Sequence, residues 1–173
     1  MVKLWRCEIC GDPYVGSNPP DNCPFCGAHK KYIKEAKNAK VSFDVKLSHQ
    51  DMKNVEHALE VEISNSTFYY CAANINDEPE GALLFKALSK IEMEHAAIWK
   101  KILNLSAVPA GSDSCHKKNK ENLEESHQRE IRAIEFYRKA AEETKNPRIK
   151  QIFEALVEVE TDHLSLSEQR LKN

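Results

Sequence analysis

From Ser48 onward, apolar residues recur at the spacing of α-helices. Residues 1–35 show no helical periodicity and are rich in Cys, Pro and Gly. A Lys-rich stretch separates the two parts, and we predict that its charges are solvated. The pattern therefore predicts a small loop-rich module with its connector at residues 1–40, followed by a helical domain at residues 41–173.

The first two predicted helices are delimited by capping and helix-breaking residues. Ser48 is a plausible N-cap, and Asp51 three positions later completes a variant of the capping box. This helix is predicted to end near Asn76. Pro79 suits the first position of a second helix, which we expect to extend to about Leu105.

A link at residues 106–118 contains Pro and Gly and is too long for a tight antiparallel turn. A third helix is predicted to follow it and to end near Lys145. Asn146 and Pro147 then repeat the cap-and-proline start, and a fourth helix is predicted to reach Leu171. Two helical hairpins joined by one long link are typical of an all-α, ferritin-like four-helix bundle with a crossover.

The two predicted hairpins repeat each other. Residues 62–105 align with residues 130–173 without a gap, at a shift of 68 positions. The matched positions keep apolar residues and also polar residues that can bind or orient transition metals. The polar matches are Glu62 with Glu130, Glu92 with Glu160, and His95 with His163, and the tyrosine match is Tyr69 with Tyr137.

The matched polar residues predict a dinuclear metal site inside the bundle. A Glu and a His three positions apart share one helical face, as in Glu92 with His95. Four buried carboxylates would be very costly alone, but two divalent cations would neutralise them. Carboxylate oxygens with one imidazole per metal favour iron or manganese. We expect Glu92 and Glu160 to bridge the metals, with Glu62 and Glu130 as terminal ligands.

Other polar residues near the motif are given lesser roles. Tyr69 and Tyr137 lie on the ligand face and could donate hydrogen bonds to ligand carboxylates across the bundle. Glu94 and Asp162 are expected to project sideways into solvent. Five histidines without a repeat partner are expected at the surface: His29, His49, His57, His116 and His127.

The N-terminal cysteines predict a second metal site. Four of the six cysteines form two C-x-x-C-G motifs, whose thiolates can enclose one tetrahedral metal: Cys7, Cys10, Cys23 and Cys26. A segment of this size buries too little core to fold without a bound metal ion. The spacing alone does not show whether the bound metal is zinc or iron. Cys71 and Cys115 have no evident partner, and Cys71 is expected to be a small buried apolar residue.

Composition excludes several classes of protein. The chain of 173 residues has a net charge of −2 with 30% charged residues, which argues against a nucleic-acid-binding protein. It contains no apolar run of membrane-spanning length and no recognisable export signal. We therefore expect a soluble, cytoplasmic protein, in which paired cysteines are metal ligands rather than disulfides.

The combined motifs resemble those of the rubrerythrin family over nearly the whole chain. Residues 5–16 (WRCEICGDPYVG) and 23–28 (CPFCGA) are similar to a rubredoxin-type module. The six Glu and His residues resemble the di-iron site of the ferritin-like domain. Because the module comes before the bundle, the order is that of the "reverse" rubrerythrins.

This resemblance implies a non-haem di-iron peroxidase that reduces hydrogen peroxide to water. It further implies that a rubredoxin-type iron centre relays electrons from an NAD(P)H-dependent rubredoxin reductase. Family members are commonly homodimers, and we expect the module to serve the bundle of a neighbouring subunit, since the Lys-rich connector would let it reach across. The expected mechanism has two Fe(II) ions each giving one electron to bound peroxide, while the carboxylate shell delivers protons.

One feature departs from the family pattern. Rubrerythrins usually carry an additional Glu one turn after the terminal ligand of the third helix, where this chain has Ala133 and Ile134. The equivalent position after Glu62 is Asn65, and Glu135 is expected to point elsewhere. The result is a six-ligand site closer to that of a simple ferritin. Two alternatives therefore stay open: a ferroxidase or iron-handling protein that uses dioxygen, and a non-enzymatic protein with a structural zinc ribbon.

Overall fold

The computed structural model describes residues 1–172. Its helical domain contains α1 (His49–Ile75), α2 (Pro79–Ile102), α3 (Asn119–Glu143) and α4 (Pro147–Leu171). The predicted fold class is confirmed, because these four helices form a ferritin-like bundle behind a small N-terminal strand module. Asn173, the last residue of the predicted helical domain, lies outside the described residues.

Side-chain caps mark the starts of α1 and α4. The Ser48 side chain accepts from the Asp51 N–H, and the Asp51 carboxylate accepts from the Ser48 N–H, so the predicted capping box is present. The Asn146 side chain likewise caps α4. The second helix ends at Ile102 rather than Leu105, because Asn104 has a positive φ of 53°.

The bundle is built from two hairpins, α1 with α2 and α3 with α4. The first and third helices run antiparallel, since side chains early in α1 (Gln50, Asn54) hydrogen-bond Glu143 at the end of α3. The link packs back onto this seam. Within it, Asp113 accepts hydrogen bonds from Arg129 of α3 at 2.8 Å and from Ser64 of α1 at 2.9 Å. The crossover is thereby tied to both hairpins.

The N-terminal module contains an antiparallel sheet with strand order β2-β1-β3, formed by β1 (Lys3–Cys7), β2 (Pro13–Gly16) and β3 (Ile33–Glu35). Short 3-10 helices, Lys30–Tyr32 and Ala36–Asn38, flank β3. The module packs closely on the bundle at Gly27, where an added Cβ would lie 2.9 Å from the Val159 side chain. Gly27 also has a positive φ of 73°, so both backbone conformation and space favour glycine there.

Surface contacts of the module change some predicted assignments. Asp162 is exposed, as expected, and its carboxylate also lies 2.7 Å from His29 Nε2 and contacts the Asn22 amide. Lys31 of the Lys-rich stretch pairs with Glu158 of α4. Glu94 and His29 are half-buried rather than free at the surface. The helical pattern could not show these contacts, because they depend on where the module docks.

The remaining histidines mostly agree with the predicted surface positions. His49, His57 and His116 are exposed, while His127 is half-buried, with its Nδ1 3.4 Å from the Ser167 hydroxyl. Within residues 1–172, no helix has the combination of length and apolarity that crossing a lipid bilayer requires.

The expectation that Cys71 and Cys115 lack a partner is wrong. They form a disulfide between α1 and the link, with Cα atoms 5.8 Å apart. Both residues are half-buried, and Cys115 packs on the cluster of Phe68 and Phe85. The pairing escaped sequence reasoning because it depends on the path of the link, which has no periodic pattern.

We predict that Cys71→Ser lowers the free energy of unfolding by about 4 kcal/mol, because the bridge closes a loop with a sequence separation of 44. Urea unfolding of oxidised wild type and variant measures the difference. Wild type treated with a reductant should match the variant. Two free thiols at these positions in the oxidised wild type would contradict the assignment.

Candidate metal centres

Six side chains converge in the middle of the bundle. The four glutamates and His95 are fully buried, and His163 is 7% exposed. They form two overlapping groups, and within each group the candidate ligand atoms lie within 4.8 Å of one another. One group is Glu62, Glu92, His95 and Glu160; the other is Glu92, Glu130, Glu160 and His163. Glu92 and Glu160 belong to both groups, as bridging ligands must.

Each carboxylate in this cluster leaves one oxygen unsatisfied. Buried atoms without a hydrogen-bond partner include Oε2 of Glu62 and Glu130 and Oε1 of Glu92 and Glu160. The Glu92 oxygen lies 3.1 Å from His163 Nδ1, but outside hydrogen-bonding geometry. An unpaired buried acceptor costs about 1–3 kcal/mol, and more when charged. Cations between the carboxylates would satisfy all four oxygens, so the donor set fits a pair of divalent metals.

Both histidines are oriented for metal binding. Nδ1 of His95 lies 3.0 Å from Glu92, and Nδ1 of His163 lies 2.9 Å from Glu160. On the other side of its ring, Nε2 of His95 is 2.9 Å from the Cys26 carbonyl oxygen. Since a carbonyl only accepts, Nε2 carries the hydrogen of that bond. Nδ1 is then left free to face the cluster as a ligand nitrogen.

The electrostatics divide the carboxylates into two kinds. Burial raises the pKa of Glu62 and of Glu130 well above the usual range. Burial would also raise the pKa of Glu92, but the nearby imidazoles of His163 and His95 outweigh it and lower that pKa. The pKa of Glu160 is likewise lowered, because interactions with His163 outweigh burial and the charge of Glu92. Protons thus occupy the cluster when metals do not, and metal binding would displace them.

The two repeat tyrosines exchange hydrogen bonds across the bundle. The Tyr69 hydroxyl of α1 donates to Glu130 of α3, and the Tyr137 hydroxyl of α3 donates to Glu62 of α1 at 2.5 Å. Burial, with the nearby carboxylate charges, raises the pKa of both phenols, so both stay neutral donors. Ser126, which sequence reasoning missed, contacts the Tyr69 hydroxyl at 2.9 Å. These bonds hold the two outer carboxylates in place.

The four N-terminal cysteines also converge and are buried. Sγ atoms of Cys7 and Cys26 are 3.8 Å apart, and those of Cys10 and Cys23 are 3.8 Å apart. A tetrahedral site with metal–sulfur bonds of about 2.3 Å has sulfur atoms about 3.8 Å apart, so the spacing fits one metal ion. A hydrogen bond from Cys10 lowers the pKa of Cys23, while Cys10, the partner thiol, has its pKa raised.

The cysteine group lies beside the carboxylate cluster of the same chain. Cys26 belongs to the former, and its carbonyl accepts the hydrogen bond from His95 of the latter. We expected the module to serve a neighbouring subunit, but in this structure it docks on its own bundle. Close packing at Gly27 holds it there.

The structure has no carboxylate at the position where rubrerythrins usually carry the additional glutamate. Ala133 and Ile134 are buried, Glu135 is exposed, and Asn65 is buried with its amide nitrogen unpaired. Among residues 1–172, the carboxylates gathered in the two metal-compatible groups of the bundle are the four glutamates of the repeat.

Two family models match this chain. The family model described as Rubrerythrin matches residues 53–172, which is more than half of the chain. This chain belongs to the rubrerythrin family. A second model, described as Rubrerythrin, rubredoxin-like domain, matches residues 5–34. The module therefore precedes the rubrerythrin bundle, which confirms the expected reverse order.

A known protein is similar to part of this chain. Reverse rubrerythrin-1 from Clostridium acetobutylicum is 26% identical over 113 residues, which cover 59% of this rubrerythrin-family chain. The matched part spans 62% of that relative's length. A comparison with solved structures gave no match.

We predict that Tyr69→Phe and Tyr137→Phe each destabilise the metal-free protein by about 1–3 kcal/mol, because each leaves a buried carboxylate oxygen without its donor. Urea unfolding measures the change. Tyr70→Phe is the matched control, since Tyr70 is 66% exposed and next in sequence to Tyr69. Equal stability of all three variants would show that the phenol hydroxyls do not support the outer carboxylates.

Proposed function

We propose that this rubrerythrin-family chain is a non-haem di-iron peroxidase that protects against oxidative stress. Hydrogen peroxide would be reduced to two waters with two electrons and two protons. The electrons would pass through iron held by the four cysteines. The observation that carries the proposal is the 2.9 Å contact between His95 Nε2 and the Cys26 carbonyl, since it joins the two candidate centres directly.

Each centre has a defined set of proposed ligands. Glu62, Glu92, His95, Glu130, Glu160 and His163 would hold two iron ions, and Cys7, Cys10, Cys23 and Cys26 would hold one. The proposed bridges are Glu92 and Glu160. Iron supplies reversible one-electron chemistry, so a pair can deliver the two electrons that peroxide reduction requires.

The protein's own residues would perform three tasks. Through its Nε2–H bond to Cys26, His95 would provide a direct covalent and hydrogen-bonded route for electrons between the centres. By donating to Glu130 and Glu62, Tyr69 and Tyr137 would keep the outer carboxylates oriented and would offer protons close to the substrate. Burial of the cluster excludes bulk water and strengthens these interactions.

A ferroxidase or iron-handling protein that uses dioxygen is the second candidate. The observation that favours it is the absence of a carboxylate at Ala133, which leaves a six-ligand set like that of a simple ferritin. Retention of many iron ions in a large assembly would support this candidate. Catalytic consumption of peroxide linked to NADH would count against it.

The proposed electron donor is an NAD(P)H-dependent rubredoxin reductase, and the proposed location is the cytoplasm. A homodimer or larger homo-oligomer is part of the proposal, although the docking of the module does not require one.

The visible spectrum separates iron from zinc at the cysteines, because an Fe(III)–thiolate centre is red and zinc is colourless. If the protein is colourless and the module still stabilises it against unfolding, the four cysteines form a structural zinc ribbon.

We predict that Glu92→Ala and Glu160→Ala each abolish peroxide turnover and loading of the bundle site, because each removes a ligand shared by both metals. Iron analysis, visible absorbance and NADH-linked peroxide consumption measure the effects. The absorbance of the iron–thiolate centre should be unchanged, since these glutamates are not cysteine-site ligands.

Glu135→Ala is the control for these variants, because Glu135 is exposed on α3 and joins neither metal-compatible group. It should retain both iron loading and turnover. Peroxide reduction by Glu92→Ala at the wild-type rate would exclude the bundle site as the centre of the reaction.

A mixing experiment tests whether electrons pass within one chain. Cys23→Ser removes a ligand of the cysteine site, and Glu92→Ala removes a shared ligand of the bundle site. Because His95 contacts Cys26 of its own chain, a subunit-exchanged mixture of the two variants should show no more turnover than the sum of each alone. Recovery of a substantial fraction of wild-type turnover would instead show transfer between subunits.

A further inference from the structure

Two cationic side chains of the bundle contact the first cysteine knuckle, residues 7–11. Lys101, in the last turn of α2, donates from Nζ to the Cys10 carbonyl at 2.9 Å. Arg148, in the first turn of α4, donates from Nη2 to the Ile9 carbonyl at 3.2 Å. Neither residue belongs to the repeat-derived cluster, and the peroxidase proposal gives neither a role.

Both charges are held in place and partly shielded from water. The ring of Phe43 lies beside them, with its centroid 5.1 Å from Lys101 Nζ and 5.5 Å from Arg148 Cζ. The same ring covers Gly11 of the knuckle, where an added Cβ would lie 3.2 Å from Phe43. Arg148 also donates from Nε to the Ser42 carbonyl at 2.9 Å. Restrained charges of this kind are screened less than mobile surface charges.

The Arg148 charge acts on the cysteines as well as on a carbonyl. Burial lowers the pKa of Arg148, and the charges of Cys7, Glu8 and Cys10 oppose that shift. Attraction between the guanidinium and the cysteine sulfurs is mutual. The charge would therefore stabilise negative charge at the metal site that these sulfurs form.

We propose that Lys101 and Arg148 raise the reduction potential of iron bound by the four cysteines, so that the bundle tunes the centre that supplies it with electrons. This rests on one part of the proposed function, namely iron at the cysteine site. When a one-electron donor reduces Fe(III) to Fe(II), all four thiolates stay bound and the centre gains one negative charge. Nearby cations stabilise the more negative form.

Acidic groups on the same side act in the opposite direction. Glu94 of α2 is half-buried, and Glu8 and Asp12 lie within and beside the knuckle. Lys101 and Arg148 contact the knuckle carbonyls directly. These acids are the same in wild type and in variants of Lys101 and Arg148, so a difference in potential between such proteins reports the two cationic side chains alone.

The proposed effect of Lys101 and Arg148 also couples the redox state of the centre to docking of the module. Lys101 and Arg148 lie on helices of the bundle, so they act on the centre only when the module is docked. If docking favours the reduced form, then reduction favours docking to the same extent, because the coupling is reciprocal. The module would thus be held most tightly against His95 when it carries the electron to be transferred.

The test is a spectroelectrochemical titration of the iron–thiolate centre in the full-length, iron-reconstituted protein. We expect Lys101→Gln and Arg148→Gln each to lower the ratio of reduced to oxidised centre about tenfold at a fixed solution potential. This corresponds to a downward shift of about 59 mV for a one-electron couple. The double variant should show a larger shift than either single variant.

Charge-matched controls separate this effect from a general loss of charge or docking. Lys31→Gln removes a module lysine that pairs with Glu158 at the surface, and it should leave the potential unchanged. Lys101→Arg and Arg148→Lys keep the positive charge and should retain most of the wild-type potential. Far-ultraviolet circular dichroism and iron content check that each variant is folded and loaded.

An unchanged potential in the folded, iron-loaded double variant would overturn the proposal, as would failure of the cysteine site to bind iron. An equal fall in Lys31→Gln would also overturn it, because the effect would then not be specific to the knuckle. The titration needs no peroxide. If the iron-loaded wild-type protein has no peroxidase activity but the variants show the predicted potential shift, the proposed function is refuted and this inference stands.

Discussion

The structure depends on the burial of four carboxylates and two imidazoles at one level of a helical bundle. Each glutamate has one oxygen without a hydrogen-bond partner, a condition that is strongly unfavourable unless cations lie between them. This constraint accounts for the polar positions that the two hairpins share. It also accounts for the crossed tyrosine bonds, in which each hairpin supplies the donor for the outer carboxylate of the other.

The same cluster links the bundle to the module. One nitrogen of His95 faces the carboxylates while the other donates to the Cys26 carbonyl, so the metal-facing geometry and the docking of the module are set by one side chain. Gly27 permits the close approach to Val159 that this bond requires. A displaced module would therefore disturb a candidate ligand of the bundle site, and a displaced His95 would weaken the docking.

Sequence reasoning predicted the features that depend on local or repeated patterns. The Ser48 cap, the starts at Pro79 and Pro147, and the set of six converging residues all follow from spacing along a helix. It failed where contacts join segments without a shared period. The Cys71–Cys115 bridge depends on the path of the link, and the Asp162, Lys101 and Arg148 contacts depend on where the module rests. No propensity or periodicity encodes such a docking position.

The most direct test of the central claim is an anomalous difference map recorded at the iron absorption edge from crystals of the iron-reconstituted protein. We expect two adjacent peaks between Glu92 and Glu160, each also beside one histidine, and a separate peak among the four cysteine sulfurs. A map with density at the cysteines and none inside the bundle would contradict the account, because the unsatisfied carboxylate oxygens would then have no cation to bind.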